Sequence, residues 1–444
     1  MGAVTGDDAR SRISHLLRRA GFGPTPAELD AAASDGYDAT VDRLVDFSVP
    51  DRGADAVAAP TFTPPVAASA LPADPAARRE AQEAERRAQR TESQRMSQWW
   101  IDRMVASTTP LRERLTLFWH GHFATSLQKV REPELMFRQN EIFRRMGAGN
   151  FEDLTQAVSK DPAMLLWLDS NQNRRQSPNE NFARELFELF TVGIGNYTEV
   201  DIREAARAFT GWQYQRAADT FRVVANLHDT GPKTVFGVSG NLGGEDVIRL
   251  ASAQPATAPF MVARLWSHFA RPVGVGDPVV RDLAPAFARD LDVGRLMGAM
   301  LRHPEFGSAA VRGGLVKEPI VYVAGTLRAF GLRAASPGAS TLPTLNNLGQ
   351  QPFVPPNVGG WPQNGYWLTT TFALSRLRFA STLVQRADLS AVAGVGVGER
   401  PSAAARLLAV DGWGPATAAA LAKVADDPKS LMTLALVAPE YLLA

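Results

Sequence analysis

The sequence contains no cysteine, and that absence removes several kinds of chemistry. Without a thiol there is no disulfide, no thiolate metal site and no cysteine nucleophile. Histidine is also scarce, with 6 residues in a chain of 444. A strong metal site would therefore have to be built from His, Asp and Glu side chains.

An excess of charge of one sign and long apolar runs are lacking too. The 47 Lys and Arg residues nearly balance the 46 Asp and Glu residues, so the net charge gives no reason to expect nucleic acid as a partner. No apolar run approaches the roughly 20 residues of a membrane helix, and we expect no membrane insertion. The amino-terminal stretch MGAVTGDDARSRISHLLRR lacks the apolar region of a signal peptide. We therefore expect a cytoplasmic protein, or an exported one if a leader has been removed.

Helical periodicity dominates the chain and predicts a mainly α fold, with one large helical domain over residues 1–444. Residues 221–237 differ, because they form two short β-type runs around a polar turn and predict a small β-hairpin insertion. The Ala- and Pro-rich residues 52–76 predict a flexible surface segment. Residues 343–366 are rich in Pro, Gly and Asn and predict a long functional loop. No sequence feature indicates an oligomeric state.

The most polar segment, residues 177–212, predicts two short helices in which carboxylates lie beside an apolar face. We expect the first helix to begin at a capping box formed by Ser177 and Glu180, and the second to begin at Thr198. An earlier helix is predicted to begin in the same way at Thr25. Polar side chains beside a core are costly unless they are paired or used, so this segment is a candidate site.

A polar stripe along the first of these helices contains Asn181, Glu185 and Glu188. Two carboxylates one turn apart are either solvated or held by a cation, a shared proton or a metal. We therefore interpret Glu185 and Glu188 as candidate catalytic residues, and Asn181 and Arg184 as candidate substrate-binding residues. The alternative is that Arg184 and its neighbours only support the helix through ion pairs.

His228 and Asp229 lie in the polar turn that follows this segment. Their position in a loop suits a general acid or base, and they are the remaining candidate catalytic residues. Lys233 and Trp212 are candidate substrate-binding residues on either side of them. The alternative is that Asp229 caps its own turn through its side chain.

Aromatic and amide side chains alternate in the late loop, whose sequence is PPNVGGWPQNGYW. Trp361 and Trp367 would stack on a ligand ring while Asn364 bonds its polar edge. The alternative is that the tryptophans anchor a long loop to the core.

A metal site is an alternative use of the acidic helix. His120 and His122 flank Gly121, and their rings would face one ion only if the helix breaks at that glycine. Together with Glu185 and Glu188 they would bind a divalent metal such as Mn, Fe or Zn.

Six separated phrases of the chain together resemble the bacterial family catalogued as domain of unknown function 1800. The resemblance implies that these phrases belong to one folded unit and that their polar residues converge. Many members of that family are exported, and the lack of a leader here departs from that pattern. The phrases are HLLRRAGFG, LFWHGHFATS, SPNENFARELFELFTVGIGNYTEVDIREAARAFTGW, HDTGPKTVFG, VKEPIVYVAGTLRAFG and NVGGWPQNGYWLTTT.

Three functions are compatible with these residues. The first is a hydrolase acting on a polar, carbohydrate-like small molecule or glycan, in which Glu185 or Glu188 works with a group from the His228 turn. The second is a metal-dependent oxidoreductase or metallohydrolase. The third is a non-catalytic binding or scaffold protein, in which the polar residues fix how the helices pack.

Overall fold

The computed structural model describes residues 6–64, 71–336 and 339–443 of the chain. Helices dominate these residues, and the only strands within them form two small antiparallel sheets. The prediction of a mainly α fold with a small β insertion is therefore confirmed. The helices of the first half are α1 Gly6–Ala20, α2 Pro26–Asp35, α3 Tyr37–Val45, α4 Arg52–Asp55, α5 Pro75–Ala106, α6 Leu111–His122, α7 Leu127–Val130, α8 Pro133–Met146, α9 Phe151–Ser159, α10 Pro162–Trp167, α11 Asn181–Glu185 and α12 Glu199–Ala208.

The second half of the chain is helical again after the strands. Short helices joined by polar loops continue to the carboxyl terminus. They are α13 Gly244–Ser252, α14 Thr257–Phe269, α15 Pro278–Phe287, α16 Val293–Arg302, α17 Ala309–Arg312, α18 Pro319–Ala329, α19 Thr341–Asn347, α20 Thr370–Leu383, α21 Ser390–Ala393, α22 Arg400–Leu407, α23 Pro415–Ala422, α24 Pro428–Leu436 and α25 Pro439–Leu442.

The strands form two hairpins where one was predicted. They are β1 (Trp212–Gln215), β2 (Thr220–Val223), β3 (Lys233–Val235) and β4 (Val238–Gly240). β2 pairs with β1 and β3 pairs with β4, so the two predicted runs do not pair with each other. The turn between β3 and β4 has positive φ at both central residues, which suits the twist of a two-residue hairpin.

Helix α12 and helix α2 begin at the predicted capping boxes. The Thr198 hydroxyl accepts the backbone N–H of Asp201, and the Asp201 carboxylate accepts the backbone N–H of Thr198. Thr25 and Glu28 make the same reciprocal pair at α2. Such caps satisfy N–H groups that lack partners inside the helix, and they depend only on neighbouring residues.

The predicted capping box at Ser177 is wrong. Helix α11 begins at Asn181, and Glu180 precedes it without a side-chain cap. The Ser177 backbone N–H instead donates to the Arg174 carbonyl, in a turn that the buried Asn173 ties down by accepting the Asn179 N–H. The Asn179 side chain accepts the Asn181 N–H at 2.9 Å, and Asn173 is itself held by a tertiary hydrogen bond to the Ala206 carbonyl at 2.9 Å. That tertiary contact therefore helps to set where α11 begins.

The ends of the Ala- and Pro-rich segment are helical. Residues 52–55 form α4, and the carbonyl of its buried Ala54 accepts a hydrogen bond from Arg103. Residues 75 and 76 already belong to α5. Residues 65–70 of the predicted flexible segment lie outside the described residues.

A fully buried carboxylate joins α5, α6 and α8. Glu113 accepts hydrogen bonds from the Trp100 indole at 3.0 Å, from Arg103 Nε at 2.9 Å and from Arg144 Nε at 2.7 Å. Burial raises the pKa of Glu113, but the two guanidinium groups outweigh it and the net pKa lies below the usual value. Glu113 is therefore ionised and fully paired in the core. None of the helices in the described ranges combines the length and apolar character of a membrane span.

Glu113→Gln should lower the free energy of unfolding by about 3–5 kcal/mol, because both guanidinium groups lose their buried counter-charge. Glu83→Gln is the matched control, since Glu83 forms an exposed ion pair with Arg87 on the same long helix α5. The control should change stability by less than about 0.5 kcal/mol. Urea denaturation of both variants measures the difference, and equal effects would show that the buried cluster is not a stabilising centre.

Asp161 should make the stability fall with rising pH. Its carboxylate caps α10, yet one oxygen has no partner, and burial raises its pKa to about 7. Because the unfolded pKa is about 3.9, the folded state binds more protons between pH 4 and 7. The free energy of unfolding therefore decreases as pH rises through that interval.

Asp161→Asn should consequently exceed the wild type in urea midpoint at pH 8 and lose this advantage towards pH 4. Asp427→Asn is the control, because Asp427 caps α24 in the same way but is exposed, and its hydrogen bonds from Ser430 lower its pKa. A pH-independent difference for Asp161→Asn would contradict the titration.

Candidate functional site

The acidic helix is α11 continued by a π-helical turn at Leu186–Phe190. Glu188 accepts a hydrogen bond from the Tyr197 hydroxyl at 2.6 Å and lies 3.6 Å from Arg184. Arg184 also donates to both oxygens of Glu199 at 2.9 Å and to Glu180 at 3.0 Å. Arg184 is therefore held by three carboxylates, and its charge is satisfied within the protein.

Glu185 is the exception in this network. It is half-buried, and it forms no hydrogen bond or ion pair with any residue in the described ranges. Burial, followed by repulsion from Glu188, raises the pKa of Glu185. Asn181, one turn earlier, donates to the Leu168 carbonyl at 3.3 Å. Of the four residues predicted on this helix, Glu185 alone has no hydrogen-bond or ion-pair partner within the described ranges.

The turn around His228 is held by its own charged residues. Asp229 accepts a hydrogen bond from Arg207 at 2.8 Å, which lowers the pKa of Asp229 and keeps it ionised. Lys233 is buried, and its Nζ donates to the Asp229 and Gly231 carbonyls at 2.6 and 3.0 Å. Asp229 therefore has no proton to donate at neutral pH. Lys233 stabilises the turn by binding two of its backbone carbonyls.

The ring of His228 is oriented through its Nδ1. This nitrogen lies 2.8 Å from the Thr210 carbonyl, which can only accept, so Nδ1 carries a hydrogen and donates it. Trp212, the predicted stacking residue nearby, is 2% exposed and packs edge-on between Phe209 and Phe221. Its ring has no free face for a ligand.

Helix α6 does not break at Gly121, and the expected metal geometry is absent. The helix continues to His122, so the rings of His120 and His122 point in different directions. His120 is enclosed by aromatic rings, including those of Phe353 and Trp361, each with its centroid 5.3 Å from the imidazole. In the described ranges no three His, Asp or Glu side chains come together to hold a metal. The predicted His–Glu ligand set is therefore not assembled.

A different set of polar residues does converge. Two adjoining cavities, of about 270 and 40 Å³, share His268, Glu318, Pro362 and Gln363 in their walls. We call them together the basic cavity. Its lining residues come from five separated parts of the chain, between residues 18 and 367. Its polar and aromatic lining residues are Arg18, Arg19, Arg114, Phe118, His122, Arg264, Ser267, His268, Lys317, Glu318, Trp361, Gln363, Asn364 and Trp367.

Four arginines and Lys317 line the basic cavity, and Glu318 is the one carboxylate in its wall. Arg18 pairs at 3.3 Å with Asp411, which lies outside the cavity lining. Arg114 donates to Glu318 at 3.0 Å, whereas Arg264 forms no hydrogen bond or ion pair with a described residue. Arg19 donates to a single backbone carbonyl and leaves Nε and Nη1 without partners. Burial, aided by Arg18, lowers the pKa of Arg19 to about 9. The cavity therefore carries uncompensated positive charge.

Two neutral imidazoles also face the cavity. The His122 Nε2 donates to the Phe190 carbonyl at 3.0 Å, so its buried Nδ1 is an acceptor without a partner. His268 Nε2 is likewise unpartnered and lies 3.8 Å from a Glu318 oxygen. Burial lowers the pKa of His122 to about 3 and that of His268 to about 4. Both imidazoles are uncharged at neutral pH.

The late loop forms one side of the basic cavity. Trp361 and Trp367 are almost fully buried and both leave their indole N–H without a partner. Asn364 accepts the Val316 N–H at 2.9 Å and donates to the Gly314 carbonyl at 3.2 Å, so its amide holds the loop. Gly360 touches the helix, because a Cβ at that position would lie 2.0 Å from the Gly121 carbonyl oxygen.

The predicted site and the basic cavity overlap in the late loop and in His122. Glu185, Glu188, His228 and Asp229 do not line the basic cavity. The sequence interpretation missed its cations. Arg264 stands alone among apolar residues, and that isolation was the available signal. Arg18 and Arg19 adjoin each other, Lys317 precedes Glu318 and Arg114 follows another charged pair, so these four gave no such signal.

Glu185→Gln should raise the thermal midpoint at pH 8 and lose that gain near pH 4. The reason is that the raised pKa of Glu185 makes its ionised form unfavourable in the folded state. Glu188→Gln, on the same turn, should lower stability by about 1 kcal/mol, because the charged partner of Tyr197 and Arg184 is lost. Thermal unfolding at both pH values separates them. A loss of stability in both variants would show that Glu185 has a structural partner.

Comparisons with known proteins bear on the whole chain. No curated protein and no solved structure matches it. The family model described as protein of unknown function (DUF1800) matches residues 15–443. That range is nearly the complete sequence, and the chain therefore belongs to the DUF1800 family.

Proposed function

We propose that this protein is a hydrolase acting on a polar, carbohydrate-like substrate that carries an anionic group, and that the basic cavity binds it. The observation that carries the proposal is the uncompensated positive charge of that cavity. Its size suits a small ligand or the end of a larger one. The acid–base groups then come from the cavity rather than from Glu185, Glu188 and the His228 turn.

The unpaired cations support an anionic ligand. A buried guanidinium without partners is costly, and hydrogen bonds between ionised groups are the strongest that such a group forms. Arg264 has no partner of its own, and Arg19 has two unsatisfied nitrogens. A phosphate, sulfate or carboxylate group would supply the missing acceptors and the missing negative charge.

The imidazoles support a hydroxylated, hydrolysable substrate. The unpartnered Nδ1 of His122 accepts a hydrogen bond from a ligand hydroxyl. His268 is neutral, lies beside Glu318, and is a candidate for proton transfer to or from a reacting oxygen. The cavity therefore suits a polar compound that has both hydroxyl and anionic groups.

The two other functions are less favoured by this geometry. A divalent metal in the cavity would find a single carboxylate ligand, Glu318, and would be repelled by Arg19 and Arg264, which have no carboxylate partner among the described residues. A scaffold protein would gain nothing from leaving Arg264 unpaired, because buried polar networks specify packing when every member is satisfied.

Sulfate, inorganic phosphate and glucuronate should each raise the thermal midpoint of the protein, whereas glucose at the same concentration should not. Ligand binding to the folded state adds about 2.7 kcal/mol of stability at 100 times Kd. Turnover is then measured with two esters, 4-nitrophenyl phosphate and 4-nitrophenyl sulfate, and with the glycoside 4-nitrophenyl β-glucuronide. Sodium chloride at matched ionic strength corrects for general screening.

Arg264→Met should raise the basal midpoint and remove most of the response to anions, since it deletes a half-buried charge that has no partner among the described residues. Arg249→Met is the control, because Arg249 is exposed and pairs with Asp246 on α13. If no anion stabilises the wild type, or if Arg264→Met responds as the wild type does, the proposed binding site is wrong.

A further inference from the structure

Two buried lysines of this chain have opposite surroundings. Lys233 is 1% exposed and donates its ammonium hydrogens to two backbone carbonyls. Lys317 is 7% exposed and lines the basic cavity, but its Nζ donates to no acceptor in the described ranges. An ammonium group has three donors and no acceptor, so burial without an oxygen partner disfavours the charged form. The ammonium of Lys233 has oxygen partners, whereas the Nζ of Lys317 has none among the described residues.

The charges around Lys317 act in the same direction. Burial is the largest cause that places its pKa well below the usual value, and Arg18 and Arg19 lower it further. Arg114 and Arg264 add positive charge to the same cavity. Two neutral histidines, His122 and His268, share its walls.

Two neighbours favour the charged form of Lys317, and neither outweighs the causes that lower its pKa. Glu318 is the one carboxylate of the cavity wall, and its oxygens already accept hydrogen bonds from Arg114 and Gln350. The Nζ of Lys317 lies 3.6 Å from the centroid of the Tyr441 ring. An aromatic face attracts a cation, but it also accepts an N–H from a neutral amine.

We propose that Lys317 is an uncharged amine at neutral pH and is the proton acceptor of the basic cavity. Its role on a substrate rests on the proposed function, whereas its charge state in the free protein does not. When water attacks the substrate, the Nζ lone pair takes one proton from that water. The O–H bond breaks and an N–H bond forms. The water oxygen bonds to the substrate as the bond from the substrate to the leaving oxygen breaks, and the resulting ammonium gives its proton to that leaving oxygen.

An entering anion makes this proton transfer more favourable. Its charge offsets those of Arg18 and Arg19, which otherwise disfavour an ammonium at Lys317. Opposite charges within about 4–6 Å move a pKa by roughly 1–3 units towards the charged form. Anion binding should therefore be accompanied by proton uptake at Lys317.

The charge state of Lys317 is tested without any ligand. If Lys317 is neutral when folded and protonated when unfolded, the unfolded state binds one more proton, and stability rises with pH. The urea midpoint of the wild type should therefore rise relative to that of Lys317→Met between pH 7 and 10. Lys423→Met, at an exposed lysine, should show no such trend. A pH-independent difference for Lys317→Met overturns the proposal.

Proton uptake is tested with sulfate, which stays a dianion throughout this range, so that any proton must bind to the protein. Titration calorimetry at pH 7.5 in two buffers of different ionisation enthalpy measures the uptake. Lys317→Arg places a permanent positive charge at this position and cannot titrate, so it should bind sulfate with uptake lost. Unchanged uptake in Lys317→Arg would assign the proton to another group and refute the role of Lys317.

The two experiments separate the two proposals. Sulfate binding without a pH trend in Lys317→Met would leave the anion site standing and remove the neutral lysine. A pH trend without sulfate binding would leave an uncharged Lys317 and remove the proposed function.

Discussion

The pairing of buried charge is the constraint on which this structure depends most. Glu113 is fully enclosed, and it is stable there because two guanidinium groups and an indole donate to it. That cluster fixes the rotation of α6 against α5 and α8. The next residue, Arg114, lies about 100° further round α6, where it meets Glu318 on the wall of the basic cavity. The fully hydrogen-bonded carboxylate of Glu113 thus helps to position Arg114 in the wall of the basic cavity, where other cations lack partners among the described residues.

The acidic helix contributes to the same site through its backbone. Its π-helical turn ends at Phe190, and the Phe190 carbonyl selects the tautomer of His122 by accepting from Nε2. Most of its polar side chains have structural partners, as in the network of Arg184 with Glu180, Glu188 and Glu199. π-Helical turns are frequent near functional sites. Here the turn orients an imidazole of the cavity, while the carboxylates face elsewhere.

The cations of this chain also differ in how far protein acceptors satisfy them. Lys233 and Arg207 are charged residues of the signature region, and each is saturated with protein acceptors. Arg264 and Lys317 line the basic cavity, and neither has such an acceptor in the described part of the chain. A protein tolerates such groups where a ligand completes them, because their removal would otherwise increase stability at no functional cost.

What the sequence determined by itself is local. The helical periodicity, the capping boxes at Thr25 and Thr198 and the β insertion depend on residues a few positions apart, and they were predicted correctly. The pairing of the strands, the start of α11 at Asn181 and the continuation of α6 through Gly121 depend on contacts with distant segments, and the predictions differed there. The basic cavity is the extreme case. It joins α1, α6, α14, the start of α18 and the late loop, and only the tertiary structure decides which of their charges meet without partners.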